Sequence, residues 1–318
     1  MNAQVTYKDR KGWLIAFGVY QVLAGLIFAL SAGFLFLSDN KITMPRIWII
    51  AGGLMMTAIA IQRVMLGIGS IQARRWARAL VLIFSCVELV TGTLTILVLF
   101  FMTQPALAPD SNLSQQDIGM IRLFSNSFRI LISVVIPLIF ILFYGSNNVK
   151  KTCESRNPAS SWTDRCPLPV LGLSIYKFIG GVALLGFIPF GFGYPFFFMV
   201  LGGMPAKLIW LVSSGLMIYA AILLYKLDIK GWLIAMILYV FYFINMVCFL
   251  LSKGFAYYFN FINEPYLQGI MQKTIIPNKN ILSIHCLAIM VGVILYLIFI
   301  RKYFHFDNLK QKASTGNS

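Results

Sequence analysis

Eight apolar runs, each about 19 to 27 residues long, occupy most of this chain and leave it few folds to choose from. They cover roughly 13–37, 47–69, 76–102, 121–145, 169–190, 207–225, 231–252 and 281–301. A helix rises about 1.5 Å per residue, so about 20 apolar residues cross the hydrocarbon layer of a bilayer. Inside that layer water cannot satisfy the backbone, which restricts each run to a helix whose hydrogen bonds close within itself. Composition points the same way. Apolar residues make up 59% of the chain and charged residues 11%, against roughly 25% charged in a soluble domain. The expected fold class is all-α: a polytopic membrane protein with eight transmembrane helices.

The runs repeat. Tyr20-Gln21-Val22-Leu23-Ala24-Gly25 returns as Tyr176-Lys177-Phe178-Ile179-Gly180-Gly181. Met44-Pro45, Ile47-Trp48 and Gly53-Leu54-Met55 return as Met204-Pro205, Ile209-Trp210 and Gly215-Leu216-Met217, and Trp76 has a counterpart in Trp232. These collinear matches predict two tandem four-helix repeats. One match crosses that scheme: Lys11 to Ala16 is identical to Lys230 to Ala235, which sets span 1 against span 7. The expected organisation is a first repeat over 1–145, a cytoplasmic linker over 146–168, a second repeat over 169–302 and a polar, disordered tail over 303–318.

Lysine and arginine orient the spans. Sixteen of them fall on the side of the termini and seven on the other, so both termini are expected in the cytoplasm. The net charge of +16 is spread over the short connections and forms no basic domain, so membrane lipids are expected as partners and nucleic acid is not. The apolar stretch 13–37 exceeds the 7–15 residues of a signal-peptide core, so the first helix is expected to stay uncleaved. The expected location is the inner (cytoplasmic) membrane.

Few polar groups interrupt the spans, and each is a candidate because a charge in the bilayer costs roughly 2.5–3.5 kcal/mol on insertion scales. Glu88 lies near the middle of span 3, Arg63 in span 2, Arg129 in span 4 and Lys177 in span 5. Glu88 with Arg63 or Arg129 makes either a polar centre that holds an ion, a proton or a head group, or an ion pair that locks the helices, with Lys177 snorkelling to the interface. Gln21 stands at the repeat position of Lys177, which suggests either a matched pair near a pseudo-axis or simple interhelical hydrogen bonding.

In the linker, Cys153, Trp162, Asp164, Arg165 and Cys166 form a candidate contact site. Cys153 and Cys166 are expected as free thiols, since no histidine stands near them and zinc wants four ligands. Six phenylalanines and three prolines crowd the stretch 187–205. They mark either an unwound helix end or an aromatic belt at the outer interface. No P-loop, GxSxG, HExxH or paired intramembrane carboxylates occur, so the chain leans away from an enzyme and asks for no cofactor or catalytic residue.

Two stretches carry a resemblance. Gly67-Ile68-Gly69 followed by Arg74-Arg75-Trp76-Ala77-Arg78 is similar to a pattern in small four-helix bacterial membrane proteins. The run Trp162-Thr163-Asp164-Arg165-Cys166-Pro167-Leu168-Pro169-Val170 resembles the linker of uncharacterised bacterial multi-pass proteins built from a duplicated four-helix unit. The resemblance implies a bacterial inner membrane and supplies no active-site residue. Two functions are therefore expected to compete, ahead of a membrane-embedded transferase. One is a transporter-like or lipid- or small-molecule-binding protein with its site between the repeats, near Glu88, Arg63, Arg129, Gln21 and Lys177. The other is a non-catalytic scaffold or accessory subunit, possible in a homo- or hetero-oligomer, that acts through the linker.

Overall fold

The structure is a computed structural model that describes residues 7–37, 46–101, 115–252, 257–258 and 279–304. Among these, eight helices are long and apolar enough to cross a membrane, and the chain is a multi-pass membrane protein. In order they are α1 (Lys11–Leu37), α2 (Arg46–Ile71), α3 (Arg75–Phe101), α4 (Gln115–Ile130) continued through a π-helical turn (Leu131–Val135) into α5 (Ile136–Gly145), α7 (Leu168–Leu185), α8 (Gly203–Tyr225), α9 (Ile229–Ser252) and α10 (Lys279–Ile300). A short α6 (Asn147–Arg156) and a 3-10 turn (Trp162–Arg165) lie between the fourth and fifth spans. The π turn ends two residues before Pro137; proline has no N–H, so the ladder there widens instead of closing normally. Met44, Pro45, the loops at 102–114 and 259–278 and the tail from 305 lie outside the described residues.

Two departures from the sequence expectation stand out. The fifth span ends at Leu185, not near 190, because Pro189 cannot sit in a helix interior and Gly191 takes a φ of +65°. The stretch after it forms a β-hairpin, β1 (Tyr194–Phe196) against β2 (Met199–Leu201), with Tyr194 opposite Leu201 and Phe196 opposite Met199. The all-α expectation thus misses one small antiparallel element.

The described chain divides into two compact units, residues 1–92 with 128–165, and residues 93–127 with 166–318. In the first, small residues seven apart bring α1 and α2 together at backbone distance. A Cβ on Gly18 would stand 2.7 Å from the Gly67 carbonyl oxygen, and one on Gly25 3.0 Å from that of Ala60. In a bilayer such close van der Waals packing replaces the hydrophobic drive as the force between helices. In the second unit α7 and α8 meet in the same manner. A Cβ on Gly181 would stand 3.1 Å from the Ser214 oxygen, while Ser174 Oγ donates to Ala221 O at 2.7 Å and Ser214 Oγ to Gly181 O at 2.7 Å.

The turns that follow are alike as well. Ala73 closes α2 with a φ of +52° and Leu227 closes α8 with a φ of +57°. Arg74 N donates to Gly69 O at 2.8 Å, and Asp228 N to Leu223 O at 3.0 Å. Beyond the turn, Gly69 faces Ala77, whereas Leu223 faces Gly231, so the small partner changes sides. Arg78 Nε donates to the carbonyl of Tyr144 at 2.9 Å, and Trp232 Nε1 to that of Leu297 at 2.7 Å. These correspondences set residues about 154 apart in the second and third helices of each unit. Among the sequence matches, Gly25 and Gly181, 156 apart, share such surroundings, each against a β-branched residue and a backbone oxygen of the next helix, whereas Gly53 abuts the Phe36 ring and Gly215 has open space.

The linker segment is folded onto the first unit. Val149 and Cys153 of α6 join a core of Leu14, Leu66, Ala73, Val81, Phe140 and Tyr144. Ser146 caps α6 through Val149 N, and the chain before α1 is tied to it by Arg10 N to Thr152 Oγ1 at 3.1 Å and by Arg156 to Asp9 at 2.7 Å. The Arg156 guanidinium holds the Asp9 carboxyl below its usual range.

Candidate functional site

α2 and α3 bring Arg63 and Glu88 together as a hydrogen-bonded ion pair. Their side chains are 18% and 34% exposed, so the pair sits on the flank of its unit rather than at its core. Tyr20 of α1 lies within electrostatic range of both. Arg129, the other partner offered by the sequence, is exposed and makes no ion pair among the described residues. The choice between the two arginines follows from register, which composition cannot show.

Gln21 and Lys177 are the deeper finding. Each is fully buried, at 0% exposure, inside its own unit. Neither polar end of the Gln21 amide has a hydrogen-bond partner. The Tyr144 hydroxyl lies within range of it, but that hydroxyl is engaged with Ser70 Oγ at 2.5 Å. Lys177 Nζ also makes no hydrogen bond and rests 3.9 Å from the centroid of the Tyr239 ring. This corrects the expectation of a snorkelling lysine: the side chain turns into the helix packing. A desolvated cation–π contact returns roughly 2 kcal/mol, less than the several kcal/mol that burying an ammonium takes.

α9 carries a polar stripe, beginning at the Tyr239 ring against Lys177, that sequence reading missed. It comprises Tyr239, Tyr242 and Asn245; on α3 the residues 154 earlier are Ser85, Glu88 and Thr91. A spacing of three residues keeps such groups on one helix face, and that periodicity was the available signal. Tyr242 Oη has no hydrogen-bond partner, although Ser213 lies in polar range of both Tyr242 and Tyr194.

Asn245 completes the stripe by holding the hairpin. Its Oδ1 accepts from Phe197 N at 2.6 Å and its Nδ2 donates to Pro195 O at 2.8 Å. Trp210 Nε1 donates to Phe192 O and Tyr258 Oη to Gly193 O. Phe197 has a φ of +48°, a conformation costing roughly 1–2 kcal/mol without glycine, and the amide of Asn245 fastens it there. Burial beside these rings pushes the Tyr194 hydroxyl up to about 12. Asn245→Leu should therefore release residues 194–201, with a local loss of about 2 kcal/mol from two orphaned backbone groups. Hydrogen exchange of that peptide checks this; unchanged protection would show that the tyrosine and tryptophan contacts suffice.

Within the linker, Asp164 pairs with Arg75 Nε at 3.0 Å and accepts from Ser161 N at 2.8 Å. Cys153 and Cys166 are buried free thiols, and desolvation raises them to about 11 and about 12. Of the five linker candidates, Trp162, Asp164 and Arg165 remain exposed. A raised thiol pKa leaves less than about one thiolate per thousand at pH 7.5, so maleimide should label Cys153 and Cys166 only after denaturation. Rapid labelling of either in native membranes would contradict its burial.

Among the described residues no group of three or more His, Cys, Asp or Glu could hold a metal ion. No family model, no curated protein and no solved structure matches the chain.

Proposed function

We propose that this is a bacterial inner-membrane protein of two tandem four-helix repeats, with both termini in the cytoplasm, that binds a lipid or small molecule in the manner of a transporter. The observation that carries this reading is the recurrence of buried, unpaired polar side chains, Gln21 on α1 and Lys177 on α7. Polar groups at membrane depth are expensive and find partners or line a path for a polar ligand. Like helix contacts and like turns in the two units support the duplication, and the lysine and arginine asymmetry supports the orientation.

Mass spectrometry of the protein extracted gently from its membrane tests the reading. A specific lipid or metabolite should co-purify and should raise the thermal midpoint when added back. If nothing co-purifies and no lipid or metabolite shifts the midpoint, the binding reading falls.

One observation favours a second reading, a scaffold acting through its linker. α6 and the 3-10 turn are ordered and tied down, and they present Trp162 and Arg165 outward. Crosslinking from position 162 in whole cells should then capture a specific partner that Arg165→Glu abolishes.

A further inference from the structure

We propose that the second unit binds an oxyanion, the carboxylate or phosphate group of its ligand, on Lys177, with the hydroxyls of Tyr239 and Tyr242 as further contacts. The inference rests on the binding reading above and names the chemistry of the ligand at one of its positions.

Charge gives the first argument. Lys177 lies nine residues after the start of α7, about 13 Å along the helix. An ammonium carries three donors, and none is used. The helices α7, α8, α9 and α10 contain no aspartate or glutamate. Asp228, at the turn before α9, is spent on capping, with Lys230 N donating to its Oδ1 at 2.9 Å. The four helices thus supply no anion for the ammonium that α7 buries. The first unit resolves the same problem internally. Its only acid in a span, Glu88, has Arg63 beside it, and the position matching Lys177 is the uncharged Gln21.

The surroundings give the second. The Tyr239 ring lies against the ammonium at 3.9 Å, and the Tyr176 and Tyr239 hydroxyls lie in polar range of each other. One turn further along α9, the Tyr242 hydroxyl is partnerless, followed by Ser213 and Tyr194, and then by the hairpin that Asn245 holds. Hydroxyls donate to an oxyanion as readily as they donate to water, so one cation with adjacent hydroxyls suits a group with two or three negative oxygens. The polar row leads from Lys177 towards the hairpin end of the unit.

The test uses the full chain in nanodiscs of zwitterionic lipid, titrated in separate arms with phosphatidylglycerol in the bilayer, with soluble short-chain carboxylates, with inorganic phosphate and with neutral diacylglycerol. Thermal midpoint and native mass spectrometry are read together. An oxyanion should stabilise the wild type in at least one arm; the lipid and soluble arms separate its sources. Lys177→Gln should weaken that binding at least tenfold, Lys177→Arg should retain most of it, and Tyr242→Phe should weaken it about threefold. Glutamine already occupies the matching position in the first unit, so Lys177→Gln has a precedent for folding, and Tyr242→Phe gives a second readout with little change in shape. Lys226→Gln removes a positive charge at the α8–α9 turn and should leave binding unchanged, which guards against general attraction to a chain of net charge +16. Equal oxyanion binding by wild type and Lys177→Gln overturns the proposal, as does stabilisation by neutral ligand alone, which leaves the binding reading standing. No ligand effect in any arm overturns both.

Discussion

Gly67→Val should separate α1 from α2 and lower the stability of the first unit by about 3 kcal/mol, the upper end of the usual range for overpacking. A Cβ at this position would stand 2.6 Å from the Gly18 carbonyl oxygen, 2.7 Å from Val22 Cγ2 and 2.9 Å from Val22 N. Two of these are backbone atoms, so no rotamer change relieves the clash and the helices must move apart. Separation forfeits the dispersion contacts along the pair, and lipid tails restore only part of them. Gly33→Val is the matched comparison, since nothing lies within 4 Å of the Cβ it would add. Unfolding midpoints of the two variants in the same detergent check the claim. Equal midpoints would mean that the glycine contact contributes nothing.

Breaking the Arg63–Glu88 pair should have the next largest effect. Removing one member of a fully buried pair costs about 3–5 kcal/mol, because the other charge is left uncompensated. These side chains are 18% and 34% exposed, which reduces the expected loss to about 2 kcal/mol for Glu88→Gln or Arg63→Met. The second unit suggests the rescue. At the residues 154 later it has Met217 and Tyr242, an uncharged pair. The double variant Arg63→Met with Glu88→Tyr should therefore recover most of the stability that either single change loses. A double-mutant cycle on unfolding midpoints measures this coupling; additive losses would show that the two groups act independently.

Much of the architecture was legible in the chain because membrane spans are local. Length and apolarity alone place a helix in lipid, and seven of the eight spans start and end close to where the hydropathy runs do. The exception is instructive. Span 5 reads as apolar through residue 190, yet Pro189 and the glycines at 191 and 193 end the helix early. The hairpin that follows depends on Asn245, Trp210 and Tyr258, residues up to 65 positions away whose reach no local pattern reveals. The candidate site was partly legible. Charged residues inside apolar runs are conspicuous, so Arg63, Glu88 and Lys177 could be named. Tyr239, Tyr242 and Ser213 could not, since tyrosine and serine are ordinary in membrane helices until a buried lysine stands beside them.

The sequence by itself determined that the chain lives in a membrane, how many times it can cross and which residues are costly to place there, because each of those follows from the transfer of short segments out of water. Only the tertiary structure decided that Glu88 takes Arg63 rather than Arg129, that Lys177 turns inward rather than outward, and that α6 belongs to the first unit's core. These are questions of rotational register between helices. A shift of one residue turns a side chain by about 100°, and the packing of small residues such as Gly18 on Gly67 and Ser174 on Ala221 is what fixes that angle.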